Sequence, residues 1–181
     1  MERGLAMCKK LLTAAIKLAE LGFPVFPISP GAKSPPLTPH GFKDSCTDID
    51  VIQNWWEKYP NANIGMATEG LVVVDVDPHQ NGEDNLWPFD PNKQISLAVG
   101  PMAITPRGGR HYIFRQPPGK SWGCTQGKLS ANVDTRANGG YLVVPPSLRT
   151  DKQGYRWIPE MGLDDPPDQL PEPPKIGRAH V

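Results

Sequence analysis

The chain has few cysteines and no long apolar run. Cys8, Cys46 and Cys124 are odd in number and far apart, so they provide neither a disulfide framework nor a C-x-x-C zinc motif. No apolar run approaches the roughly 20 residues that a membrane helix needs. Lys9 and Lys10 interrupt the apolar N-terminal stretch in which a secretory signal would lie. We therefore expect reduced thiols, a cytoplasmic location and no membrane partner.

The chain also has no net charge, since 19 basic side chains balance 19 acidic ones. A neutral chain does not by itself favour nucleic acid as a partner. The charges are unevenly distributed, however, because residues 103–158 carry nine Lys or Arg against two acids. This segment predicts a surface that binds phosphate groups.

The abundance of 22 prolines and 18 glycines predicts short elements and many turns. A helix is expected over 5–21, because this stretch contains neither proline nor glycine and ends before Gly22. A second helix should begin near Asp48, followed by an aromatic stripe that could stack bases but fits a core-facing helix better. Strands are expected at 23–28, 61–68, 71–77, 103–105, 112–114, 131–135, 141–147 and 155–158, with a variable loop over 81–96.

The most informative stretch is the apolar run 71–74, which leads directly into Asp75 and Asp77. In a strand these carboxylates leave the same face about 7 Å apart at Cα. Two neighbouring anions at the end of a buried strand favour a bound cation, normally a divalent metal. The alternative is that both carboxylates are solvated and merely end the strand.

Two further features fit a metal site. His111 follows Arg107 and Arg110 in a Gly-Gly turn, and Asp134 ends an apolar strand. His111 could equally be a structural histidine, and Asp134 could cap a turn. Together with the Asp75 and Asp77 pair, however, they describe a site in which carboxylates hold two divalent ions while cationic donors contact phosphate. This combination indicates metal-assisted nucleotidyl transfer.

The order of motifs resembles the bifunctional DNA primase/polymerase domain of the archaeo-eukaryotic primase superfamily, over roughly residues 10–160. The motifs are Phe-Pro-Val-Phe-Pro at 23–27, Lys33, His-Gly-Phe-Lys-Asp at 40–44, Trp-Trp at 55–56, Asn-Ile-Gly at 63–65, Val-Asp-Val-Asp at 74–77, Gly-Gly-Arg-His-Tyr at 108–112, Val-Asp-Thr-Arg at 133–136, Gly-Gly-Tyr at 139–141 and Pro-Pro-Ser at 145–147. They are specific in combination rather than singly.

The resemblance implies an α/β (α+β) fold, with a primase-like catalytic core whose mixed sheet is related to the RNA-recognition motif and is flanked by helices. It implies synthesis of primers and DNA from nucleoside triphosphates on a single-stranded DNA template, with two Mg²⁺ or Mn²⁺ ions. The implied metal ligands are Asp75, Asp77 and Asp134, and His111 is the implied contact to the phosphates of the nucleotide. We extend phosphate binding to Arg110, Arg136 and Lys33.

The chain departs from the family pattern in two respects. Gly109, two residues before the histidine, replaces a small residue that can carry a hydroxyl, and the absence of cysteine from 78–110 predicts no zinc. We expect a catalytic domain over 1–160 and a proline-rich acidic linker or disordered tail over 161–174. Residues 175–181 resemble a translated sequencing adapter, so we expect a non-native tail there and a helicase domain or protein in the longer parent, on a plasmid, phage or integrated element.

Two other functions remain open from the residues. A catalytically degenerate replication initiator or nucleic-acid-binding module would bind DNA without needing metal. A metal-dependent nuclease would cleave strands without added nucleotide. A polymerase centre requires Asp134 to lie on the same side of the sheet as Asp75 and Asp77.

Overall fold

The structure, a computed structural model, describes residues 2–78, 99–130 and 133–174. In chain order its helices and strands are α1 (Glu2–Glu20), β1 (Val25–Ile28), α2 (Ile49–Lys58), β2 (Asn63–Ala67), β3 (Leu71–Val76), β4 (Met102–Ile104), β5 (Arg110–Arg115), β6 (Thr125–Ser130), β7 (Val133–Arg136), β8 (Tyr141–Val144) and β9 (Arg156–Trp157). None of the helices in the described part is long and apolar enough to cross a membrane.

The chain forms two compact units. The first unit comprises Met1–Ala67, Tyr141–Arg156 and Leu163–Pro166, and the second comprises Thr68–Gly140, Trp157–Gly162 and Pro167–Val181. A three-stranded sheet has the order β1-β2-β8, and a six-stranded sheet has the order β6-β7-β3-β5-β4-β9. The expected α+β class is confirmed, although the described residues form two sheets in place of one. Neighbouring strands are antiparallel wherever their register is described.

In the first unit, both predicted helices form. Gly22 has a φ of 96°, which is the left-handed conformation that commonly follows a helix C-terminus. Asp48 caps α2, because its Oδ1 accepts the backbone N–H groups of Asp50 at 3.0 Å and Val51 at 3.2 Å. Trp56 is buried and donates its indole N–H to the carbonyl of Ala62, so this part of the aromatic stripe faces the core.

The sheet of the first unit is tightly packed around Gly65. Strand β1 lies at its edge, which fits the proline at position 27 within it and the one at position 24 just before it, and all five residues of β2 are buried. A Cβ atom at Gly65 would lie only 2.4 Å from Cζ of Phe26 and 2.7 Å from Cδ1 of Ile28. Glycine therefore permits the close approach of these two core side chains.

In the second unit, β3 lies between β5 and β7, and its side chains alternate between two different environments. Val72, Val74 and Val76 project into an apolar cluster. The other members of this cluster are the buried residues Met102, Tyr112, Phe114 and Val133. Asp75 alternates with the valines and therefore leaves the opposite face of the sheet. We call this opposite face the acid face.

Two parts of the second half of the chain differ from the sequence-based expectation. Strand β6 is not among the strands expected from the sequence, and its pairing with β7 is irregular. Within residues 161–174, where a linker or disordered tail is expected, Leu163 and Leu170 are buried and Glu172 forms an ion pair of 2.6 Å with Arg115. The loop expected over 81–96 and the tail over 175–181 lie outside the described residues.

Candidate active site

Three of the predicted site residues form one row across the six-stranded sheet. Asp75 is the direct register partner of His111 on β5 and of Asp134 on β7. Direct partners on antiparallel strands project to the same face of the sheet. Asp134 therefore lies on the acid face together with Asp75, which is the arrangement that a catalytic use of the acids requires.

Asp75 and His111 form the buried part of this row. Nε2 of His111 lies 3.3 Å from Oδ1 of Asp75, and the two side chains are only 4% and 9% exposed respectively. A buried carboxylate is stabilised by a cationic or hydrogen-bonding partner, because its desolvation would otherwise be costly. The contact also holds the imidazole on the acid face of the sheet.

Arg136 completes the group. It follows Asp134 by two residues on β7, so both side chains project to the same face. Its Nη2 lies 3.0 Å from Oδ2 of Asp134 and 3.7 Å from Oδ2 of Asp75. Oδ1 of Asp134 accepts the backbone N–H of Gly127 at 3.1 Å. One cationic nitrogen thus lies between two carboxylates whose Oδ2 atoms both face it.

This pair of carboxylates is compatible with a divalent ion. No group of three or more His, Cys, Asp or Glu side chains suited to a metal is present among the described residues. Mg²⁺, however, is usually bound through one or two carboxylates, with waters and substrate phosphates as its other ligands. Asp75 and Asp134 supply two hard oxygen donors, and the guanidinium of Arg136 shows that both can face one cation.

The other predicted site residues lie outside this row. Asp77 is exposed and follows the last residue of β3. Arg110 pairs in register with Val76, whose side chain faces the apolar cluster, so Arg110 begins β5 on the face opposite to the acid face. Lys33 belongs to the first unit, where it is exposed and its carbonyl accepts the hydroxyl hydrogen of Tyr141.

A polar network that the sequence reasoning did not identify fixes the beginning of β3. Nε2 of Gln116 donates to the carbonyl of Leu71 and to Oδ1 of Asn138, both at 2.8 Å. Oδ1 of Asn138 also accepts the N–H of Gly70 at 2.9 Å. Asn138 follows β7 by two residues, and Gln116 follows β5 directly. The network therefore connects the ends of the three strands that carry Asp75 and its two register partners.

Comparison with known proteins agrees with the motifs. The family model described as "Bifunctional DNA primase/polymerase, N-terminal" matches residues 15–173, which include the packed segment after residue 160. The comparison with curated proteins gave no match. Since the family match spans most of the sequence and includes all the residues of the acid-face row, the chain belongs to the family of bifunctional DNA primase/polymerase N-terminal domains.

Proposed function

We propose that the chain catalyses metal-dependent nucleotidyl transfer, making or extending primers on a single-stranded DNA template. Membership of the family implies a DNA primase/polymerase function with DNA and nucleotide substrates. The observation that supports the catalytic assignment is the in-register row of Asp134, Asp75 and His111, with two carboxylates facing one cation position. A module that only binds DNA has no need of carboxylates arranged in this way.

In this proposal Asp75, Asp134 and Asp77 hold two Mg²⁺ or Mn²⁺ ions. When bound, such ions activate the attacking 3′-hydroxyl and neutralise charge on the triphosphate. His111 is positioned by Asp75 and is the donor that we assign to the phosphates of the incoming nucleotide. Asp77 is exposed at the end of β3, two residues after Asp75, so it would contribute from the rim of the site.

The remaining assignments rest on less structural support. Phosphate binding by Arg110 and Lys33 stays a prediction, since Arg110 lies on the other face of its strand and Lys33 in the other unit. A cytoplasmic location, a role in replicating a plasmid, phage or integrated element, and a helicase partner are likewise proposals. The location is an expectation from the sequence, and the other two follow from the family resemblance and not from the geometry of the site.

The test is primer extension and de novo synthesis on single-stranded DNA with Mn²⁺ and either ribo- or deoxynucleotides. Asp75→Asn should lower synthesis at least about a hundredfold, the scale on which one group that stabilises developing charge contributes. The control is Asp168→Asn, an exposed acid in the short 3₁₀-helix Pro167–Gln169, which should leave synthesis unchanged. Retained synthesis in folded Asp75→Asn would contradict the proposal.

Two alternative functions give different results in the same samples. A nuclease would cleave the template without added nucleotide, and that cleavage would be lost in Asp75→Asn. A replication-initiator module would bind DNA equally well with and without metal and would synthesise nothing. Neither result is expected, because template-dependent addition of nucleotides is the activity that the acid-face row supports.

A further inference from the structure

We propose that Arg136 is the resident counter-cation of Asp75 and Asp134 in the metal-free protein, and that a divalent ion must displace it to bind. This inference rests on the proposed function, because it concerns the ion that the same two acids would hold. It assigns Arg136 a role before the nucleotide arrives. In the metal-free protein Arg136 positions the two carboxylates, and it competes with the metal ion for their oxygens.

The contacts of the four carboxylate oxygens support this role. Oδ1 of Asp75 faces His111, and Oδ1 of Asp134 accepts the N–H of Gly127. The two Oδ2 atoms are those that Arg136 contacts, at 3.7 Å and 3.0 Å. An ion that the two acids share through these Oδ2 atoms would need the position of the guanidinium.

The exposure of the side chains makes this exchange possible. Asp75 is nearly buried, with 9% of its side chain exposed, whereas 32% of the Arg136 side chain is exposed. Contact with a cation stabilises this buried acid, because a buried charge that loses a partner is strongly destabilising. The arginine, in contrast, can turn toward solvent while its backbone remains hydrogen-bonded in β7. We therefore expect Arg136 to leave when the ion arrives.

Competition for the same oxygens predicts the sign of a mutational effect. Arg136→Gln removes the competitor, so the ion should bind more tightly, by about tenfold, which corresponds to about 1.4 kcal/mol. The metal-free protein should at the same time unfold at a lower temperature, because the contacts of Arg136 with both carboxylates are lost. An arginine that merely supported the site would give the opposite effect on affinity, since its loss would loosen both acids.

The experiment measures Mn²⁺ binding to the whole chain by electron paramagnetic resonance, without nucleotide or DNA. Arg136→Gln is compared with Arg136→Lys, which keeps a positive charge and should bind Mn²⁺ with nearly the affinity of the original protein. The matched control is Arg149→Gln, because Arg149 also pairs with an aspartate, Asp151, and is 29% exposed. This control should leave the affinity unchanged.

A second measurement uses the unmutated protein and so does not depend on the folding of a variant. The side-chain Nε resonance of Arg136, assigned from the Arg136→Lys spectrum, is followed during titration with Mg²⁺. The resonance should change along the same isotherm as the binding of the ion. An Nε resonance that stays unchanged while Mg²⁺ binds would overturn the exchange.

The outcomes separate this inference from the proposed function. Mn²⁺ binding that is unchanged or weaker in Arg136→Gln would overturn the exchange and leave the metal site intact. Absence of Mn²⁺ binding to the unmutated chain would overturn both, as would equal binding by Asp75→Asn. Tighter binding in Arg136→Gln, with Asp75→Asn abolishing it, is the result that supports both.

Discussion

Replacing Asp134 with asparagine should separate catalysis from stability. Asparagine keeps an oxygen that can accept the N–H of Gly127, at 3.1 Å in the structure, and removes only the negative charge. The lost ion pair with Arg136 is partly exposed, at 24% for the aspartate and 32% for the arginine. Such pairs contribute about 0.2–1 kcal/mol, so the free energy of unfolding should fall by no more than that.

The two consequences differ greatly in size. For a chain of this length a loss of 1 kcal/mol lowers the melting temperature by about 2–4 °C. Primer extension, in contrast, should fall at least about a hundredfold, because one of two oxygens facing the cation position loses its charge. The assay is primer extension with Mn²⁺ beside thermal unfolding followed by circular dichroism, on the same preparation.

Asp151→Asn is a closely matched control. Oδ2 of Asp151 lies 3.5 Å from Nη2 of Arg149, and its Oδ1 accepts the N–H of Gln153 at 3.1 Å. It therefore loses the same kind of contact outside the proposed site and should retain full synthesis. Near-normal synthesis in a folded Asp134→Asn protein would refute the proposal that Asp134 acts in catalysis together with Asp75 and His111. A fall in synthesis that only parallels a large loss of stability would refute it as well.

Two other predictions concern the first unit. Gly65→Ala should destabilise the fold by about 1–3 kcal/mol, because the added Cβ would lie 2.4 Å from Cζ of Phe26; in chemical denaturation, adding Phe26→Leu to Gly65→Ala should recover part of this loss. If the double variant instead loses the sum of the two single-variant losses in the free energy of unfolding, the packing argument is contradicted. The pKa of Asp44 should lie below its usual range, because the backbone N–H of His40 and then its imidazole donate to the carboxylate. This lowered pKa stabilises the folded state at pH values above the ordinary aspartate pKa of about 4, and the stabilisation is lost as the pH falls through the lowered pKa of Asp44. Carbon-13 titration checks this, and His40→Ala should keep much of the lowering, since the backbone N–H remains.

Much of the fold could be predicted because local patterns specify its main elements. The cap at Asp48, the glycine after α1 and the apolar run of β3 are each encoded within a few residues. Strand β6 was not predicted, because it is polar and contains Gly127. The packing of 161–174 was not predicted either, because a proline-rich composition does not show that Leu163 and Leu170 are buried.

The candidate site shows the same division between local and long-range information. Asp75, His111 and Asp134 were selected by residue type and position at strand ends, and their register then brings them together. The placement of Arg110 on the other face was already implied, because it directly precedes His111 in a strand and neighbouring residues alternate. The position of the Arg136 guanidinium between two acids depends on a side-chain conformation that no sequence pattern encodes.

The alternation along β3 and β7 ties the chemistry of the protein to its folding. A shift of β7 by one residue would turn Asp134 into the apolar cluster and Val133 or Thr135 onto the acid face. Such a misaligned molecule would have to bury an unpaired carboxylate among valines, which is strongly unfavourable. The backbone ladder that brings the acids together thus also disfavours a one-residue slip, and molecules that fold stably should carry the acids correctly placed.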